Sequence, residues 1–316
     1  MIANQVPLLK RELWEHRPIY VTPLVIAVLI SLMSVTGQVT ISANHRVLDL
    51  ALLGASDIGE RERATIIAGI TFGVAALLAL AMLILAVFYS LDALYAERKD
   101  RSILFWRSMP CTDAETVVSK LVTALLVIPL VTFVVAVATQ LAVLASTSIW
   151  VAAHGADVWR LMWSAAPLGE IWLATLAFFI AVPLWLSPFI GWFLFVSALA
   201  RRSPLLLAFL PIFILPMLEK VLIGTTLFTR AFFVRSVHLP LFRGVDTGEL
   251  MLGEGRFGFA ILSRLDIGGF VASPSLWLGL LVCGLLTTAA IYLRRYRDDS
   301  YFPAQKCRFS GSTETA

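Results

Sequence analysis

Six long apolar runs, almost free of charge, constrain what this chain can fold into more than any other feature. They lie near residues 19–38, 64–91, 117–146, 169–200, 203–223 and 275–293. A helix needs about 20 mostly apolar residues to cross the hydrocarbon of a bilayer, and each run supplies them. Strands of a membrane barrel alternate apolar and polar residues, which these runs do not, so the spanning elements are helices. Composition agrees: 59% of the 316 residues are hydrophobic and only 15% are charged, against about 25% charged in a soluble domain. The reading is an all-α polytopic membrane protein with six transmembrane helices, a single domain over residues 1–316. The first run follows an 18-residue charged lead and exceeds the apolar region of about 7–15 residues found in a cleavable signal, so it is read as a span.

Lys and Arg set the orientation, because loops on the cytoplasmic side carry the excess of both. With six spans both termini share a side. That side holds Lys10, Arg11, Arg17, Arg98, Lys99, Arg101, Arg107, Lys120, Arg201, Arg202, Arg294, Arg295, Arg297, Lys306 and Arg308, which is 15 of the 25 basic residues in the shorter share of loop sequence. Both termini are therefore expected in the cytoplasm. Cys111 and Cys307 fall on that reducing side and Cys283 within the last span, so no disulfide framework is expected. The net charge of +4 follows from the same bias and does not point to nucleic acid.

Residues 8–17, LLKRELWEHR, lie between Pro7 and Pro18 and are expected to form an interfacial helix. Leu9, Leu13 and Trp14 would then face lipid, and Lys10, Arg11 and Glu15 water. Gly69 and Gly73 in the second span form a G-x-x-x-G pair, the spacing that lets helices approach closely, so this face is expected to pack on another span. Pro129, Pro183, Pro188, Pro211 and Pro216 punctuate the later spans and favour kinks. Residues 224–274 are the longest external segment. Its GEGRFG matches a dinucleotide fingerprint only in letters, since no strand precedes it and no βαβ unit surrounds it.

The chemistry missing from the sequence is informative. No Asp, Glu, Lys, Arg or His stands well inside an apolar run, whereas ion-coupled transporters place such groups there. His16, His45, His154 and His238 are scattered without metal-ligand spacing, so no metal site is expected. No nucleophile–base constellation and no P-loop, G-x-x-x-x-G-K-[ST], is present. The chain reads as non-enzymatic, and any work against a gradient must draw energy from another polypeptide.

One polar stretch departs from this frame: YAERKDRSILFWRSMPCTD, residues 95–113, between the second and third spans. Leu91 to Arg107 can continue as a helix, with Glu97 and Arg101 spaced i,i+4. Ile103, Leu104, Phe105 and Trp106 make an apolar ridge, Pro110 ends the helix, and Thr112 with Glu115 forms a T-x-x-E capping box for the next one. A topology signal needs only the cations. Mixed charge around an aromatic cluster is the make-up of a protein docking site. Glu97, Asp100, Arg101, Phe105, Trp106 and Arg107 are the expected contact residues.

AERKDRSILFWRSMPCTDAETVVSKLV resembles the loop after the second span of type-2 ABC exporter permeases, approximately E-R-x-x-G-[ST]-L-x-x-L-x-x-x-P-x-[ST] with a Lys opening the third span. Glu97, Arg98, Ser102, Leu104, Pro110, Thr112 and Lys120 match or nearly match. Arg101 stands where Gly is usual, and Phe105–Trp106 replace an aliphatic pair. The resemblance implies that this hairpin is a cytoplasmic coupling helix seated in a separate P-loop ATPase subunit. It also implies a second permease copy, identical or paralogous, with ATP and Mg bound by the partner rather than by this chain. The expected function is the permease subunit of an exporter or flippase, and uncharged spans suit a hydrophobic or amphiphilic cargo. The competing reading is a membrane scaffold or sensor whose loop docks a non-ATPase partner.

Overall fold

A computed structural model describes residues 5–43, 59–100, 112–164, 168–226, 229, 230, 232, 235, 236, 239–241 and 265–296. Among the described residues the regular structure is helical, with no strand. The chain forms α1 (Gln5–Glu15), α2 (Pro18–Ala43), α3 (Glu60–Asp92), α4 (Tyr95–Lys99) and α5 (Asp113–Val122). A π-helical turn (Thr123–Val127) links α5 to α6 (Ile128–Ala153). After a second π turn (Trp159–Trp163) come α7 (Leu168–Trp185), α8 (Ser187–Leu199), α9 (Pro204–Leu218) with its own π turn (Glu219–Ile223), α10 (Ile267–Ala272) and α11 (Pro274–Tyr296). Six stretches are long and apolar enough to span a bilayer: Pro18–Ala43, Arg63–Lys99, Asp113–Ala153, Leu168–Trp185, Pro204–Leu222 and Pro274–Tyr296. The protein is a multi-pass membrane protein.

The fourth run, expected as one span over 169–200, is two helices. Leu186 separates α7 from α8, and Pro188 falls in the first turn of α8. A first-turn amide has no intrahelical acceptor, so the missing N–H of proline costs nothing there. Leu186 still bridges the break, donating to Val182 O at 2.9 Å and accepting from Phe189 N at 3.0 Å. The expected lead helix 8–17 begins earlier, at Gln5, with Pro7 in its first turn.

The core is built where α2, α3, α6, α7 and α8 converge. Ile19, Leu78, Met82, Ile128, Phe179 and Leu194 are almost wholly buried there. α8 lies along α11 closely enough that a Cβ on Gly191 would stand 3.0 Å from Cys283 Cα and 3.1 Å from its Sγ. α2 and α9 contribute little to the interior, and most of their apolar surface faces outward. Asp113–Ala153 has 41 residues, about 62 Å at 1.5 Å per residue, so it outruns a hydrocarbon layer of about 30 Å.

Toward the end opposite α1, polar side chains lock helix pairs together. Gln140 is buried, donates to Thr71 O at 2.9 Å and accepts from Trp172 Nε1 at 3.0 Å, joining α6, α3 and α7. Gln38 Nε2 donates to Ser146 and Thr147 at 3.3 and 3.1 Å, and Trp150 Nε1 donates to Ser42 at 2.6 Å, joining α2 to α6. Interhelical hydrogen bonds of this kind replace the hydrophobic drive that lipid cannot supply.

The Gly69–Gly73 expectation needs correction. Among the described residues a Cβ added at either glycine meets nothing within 4 Å, so the pair packs on none of the other described spans. It lies on an outward face of α3 shared with Ile66, Ile70, Leu77 and Leu80. The face of α3 that enters the core carries Ala68, Ala75, Leu78, Ala79 and Met82 instead. Small residues occur on both faces, so spacing alone does not choose between them. Gly191→Val is expected to lower thermal stability in detergent by about 1–3 kcal/mol through overpacking against Cys283. Gly73→Val should leave the melting temperature of the isolated chain unchanged, and equal losses from both would contradict this packing.

Candidate functional site

At the end of the bundle where α1 lies, five helices meet around buried charge. Pro18 closes α1, whose inner face carries Leu8 and, one turn on, Glu12; both are buried, Glu12 at 1% exposure. Lys10, Trp14 and Glu15 of the same helix are exposed, and Lys10 Nζ sits 5.1 Å above the Trp14 ring. Lys10, Trp14 and Glu15 thus mark the outward side of α1. Its innermost contact, however, is made by a carboxylate.

Glu12 Oε1 lies 2.9 Å from Lys120 Nζ, and its Oε2 accepts the Tyr89 hydroxyl at 2.7 Å. Lys120, itself 1% exposed, reaches Glu97 Oε1 at 3.0 Å. Arg294 Nη1 donates to Glu97 Oε2 at 2.5 Å, and Arg294 Nε donates to Asp113 Oδ1 at 3.0 Å. Arg11 Nη2 approaches Glu97 at 3.9 Å and Arg11 Nε donates to Glu15 at 2.8 Å. The four most buried charged members, Glu12, Glu97, Lys120 and Arg294, carry two charges of each sign and sum to zero. Burying an unpaired ion costs several kcal/mol, whereas a paired and hydrogen-bonded set recovers most of that.

Local structure explains how the charges reach one another. α3 ends at Asp92 and the chain turns through Ala93 and Leu94 before α4. Ser197 Oγ accepts from Leu94 N at 3.1 Å and Tyr95 N at 3.0 Å, satisfying two donors at the start of α4. Arg98 donates to Ser197 O and, at 3.0 Å, to Ala200 O, so its cation caps the carbonyl end of α8. Its neighbour Glu97 is thereby aimed at Lys120 and Arg294. At the start of α5 the expected capping box is present. Glu115 N donates to Thr112 Oγ1 at 3.2 Å, and Thr112 N donates to Glu115 Oε2 at 3.0 Å. Arg98 and Glu97 on α4 and Thr112, Glu115 and Asp113 at the start of α5 are therefore each fixed by partners within the bundle.

This arrangement corrects the expectation for Glu97. With 6% exposure and two cations on its oxygens, it is an interior residue and not part of an exposed contact surface. Asp100 is exposed at the end of α4. Arg101, Phe105, Trp106 and Arg107 lie outside the described residues, as does the Glu97–Arg101 pairing. Gly69 and Gly73 stand more than four helical turns along α3 from Tyr89 and take no part in the cluster.

Sequence reasoning missed Glu12, Tyr89 and Arg294 as members of one site, and met Lys120 as a basic residue of the cytoplasmic side and as the Lys opening the third span. A usable signal did exist at Glu12, which falls on the inner stripe of α1 four residues after Leu8. Among the described residues no three His, Cys, Asp or Glu side chains are grouped to hold a metal ion.

His16 packs edge-on to Tyr89 with centroids 5.0 Å apart, and its Nε2 is 3.7 Å from Glu12 Oε2. Burial holds its imidazole below the ordinary range, assisted by Lys120, while Glu12, Asp92 and Glu15 pull the other way. A depressed histidine contributes stability that is present above its unfolded-state value and is lost as acid protonates it. Melting temperature should therefore fall as pH is lowered from about 7.5 to about 5.5, and His16→Gln should flatten that slope.

Lys120→Met leaves Glu12 and Glu97 buried beside one cation fewer, and is expected to cost about 3–5 kcal/mol of stability in detergent. Adding Glu12→Gln should recover more than half of the loss, measured by thermal melting of monodisperse protein. Additive losses would mean that the two side chains do not form a pair.

No protein-family model, curated protein or solved structure matches the chain.

Proposed function

We propose that the protein is the transmembrane permease subunit of an ATP-driven exporter or flippase of the type-2 ABC kind. It would act with a separate P-loop ATPase subunit and a second permease copy, in a bacterial inner membrane with both termini in the cytoplasm. The observation that carries this reading is the anchoring of the 95–113 stretch. Its two flanks converge on one buried ion cluster that also holds α1 and α11. A partner that presses on residues 100–111 acts on Glu97, Asp113 and Thr112 at once, and through Lys120 and Arg294 on the first and last helices of the bundle. A loop serving only as a topology signal has no need of such a mount.

The basic residues support the orientation, since the cluster end is the one richer in Lys and Arg. The sequence carries no P-loop, so hydrolysis would belong to the partner. Exposed Asp100 with Arg101, Phe105, Trp106 and Arg107 remains the proposed ATPase contact. Glu97 moves to the supporting layer behind it.

The tagged protein, purified in mild detergent, is expected to bring down a P-loop subunit at close to equal stoichiometry with vanadate-sensitive ATP turnover. Asp100→Arg combined with Trp106→Ala should abolish co-elution without shifting the melting temperature. Glu97→Ala should lower the melting temperature itself. A single-subunit preparation without ATPase activity across several detergents would overturn the reading in favour of a scaffold docking another partner.

A further inference from the structure

On the outer surface beside the ion cluster, the beginning of α2, the end of α3 and the beginning of α9 enclose a cleft of about 320 Å³. That volume falls within the range of small-ligand sites. Its walls are apolar and come from surfaces that face the hydrocarbon: Phe88 is 57% and Leu205 45% exposed, and Leu85 of α3 lines the cleft beside them. Its polar groups gather at one end. There Asp92 is exposed at the last residue of α3, and His16 stands in the turn before Pro18.

The charge at that end selects a ligand. Among the described residues lining the cleft, Asp92 supplies the formal charge. His16 is mostly unprotonated at neutral pH because burial depresses it. Glu12, behind His16 and Tyr89, is already neutralised by Lys120. A cationic group is therefore favoured next to Asp92. Arg17 and Arg202 are exposed and flank the cleft in sequence, beside Pro18 and before Pro204, where they suit a phosphate. Acyl chains are the solvent of these spans, so the molecule that offers an alkyl chain, a phosphate and an ammonium together is a membrane lipid.

We infer that this cleft binds an aminophospholipid, with one acyl chain along Leu85, Phe88 and Leu205, the ammonium at Asp92 and the phosphate toward Arg17 and Arg202. The site does not depend on the exporter reading and holds equally for a scaffold.

The test uses the full chain in nanodiscs containing photoactivatable phosphatidylethanolamine or phosphatidylglycerol with matched chains, with cross-linked peptides mapped by mass spectrometry. Phosphatidylethanolamine should label residues 85–92 and 204–205 about fivefold more than phosphatidylglycerol, the ratio expected of one interfacial ion pair. Asp92→Asn should equalise the two lipids while chain labelling persists, and Leu205→Trp should reduce both by filling the cleft. Both positions are exposed, so neither change disturbs the core. Labelling spread evenly over α2, α3 and α9 would overturn the site. Equal labelling by both lipids in the wild type, or a preference that survives Asp92→Asn, would overturn the headgroup assignment.

Discussion

A lysine with 1% exposure is the constraint around which one end of this membrane protein is organised. Lys120 cannot stay charged in that position without counter-ions, and its two are delivered by different elements, Glu12 from α1 and Glu97 from α4. Each carboxylate in turn needs a second partner, found in Tyr89 and Arg294. The requirement to neutralise a single buried ammonium thus specifies the mutual positions of α1, α3, α4, α5 and α11. Apolar packing between spans is poorly directional in lipid, because lipid tails solvate leucine as well as a neighbouring helix does. Paired charges with short contacts supply the missing specificity.

The same cluster sorts the polar residues around the second turn-back of the chain into a support and a surface. Arg98 and Ser197 tie α4 to the end of α8, the Thr112–Glu115 box starts α5, and Glu97 with Asp113 joins both flanks to Arg294. What remains outward at the end of α4 is Lys99 and Asp100. A mount that is rigid on the membrane side and polar on its outer side is what a docking element requires if force is to pass from it into the bundle. The cleft between α2, α3 and α9 shares Tyr89 and His16 with this mount, so a bound lipid would touch the same residues from the bilayer side.

Toward the opposite end, Gln38, Gln140, Trp150 and Trp172 add neutral hydrogen bonds between helices. Such bonds break and re-form at small cost compared with buried ion pairs, whose separation strands a charge.

Much of this architecture was legible in the amino-acid sequence. Uncharged runs longer than a bilayer's thickness specify spanning helices regardless of how they pack, because no other structure satisfies the backbone in hydrocarbon. T-x-x-E specifies a helix start at Thr112 because the two partners are only three residues apart. Facing was not legible. Gly69 and Gly73 point outward and Ala68 and Ala75 inward, and in lipid both faces of a helix are apolar, so periodicity carries no direction. Pro188 signalled a kink near Leu186, but the seating of α4 depends on Ser197 and Arg98 acting across space. Glu12, Lys120 and Arg294 are separated by more than a hundred residues in turn, and only the tertiary structure brings them within contact, since electrostatic pairing depends on distance in space and not along the chain.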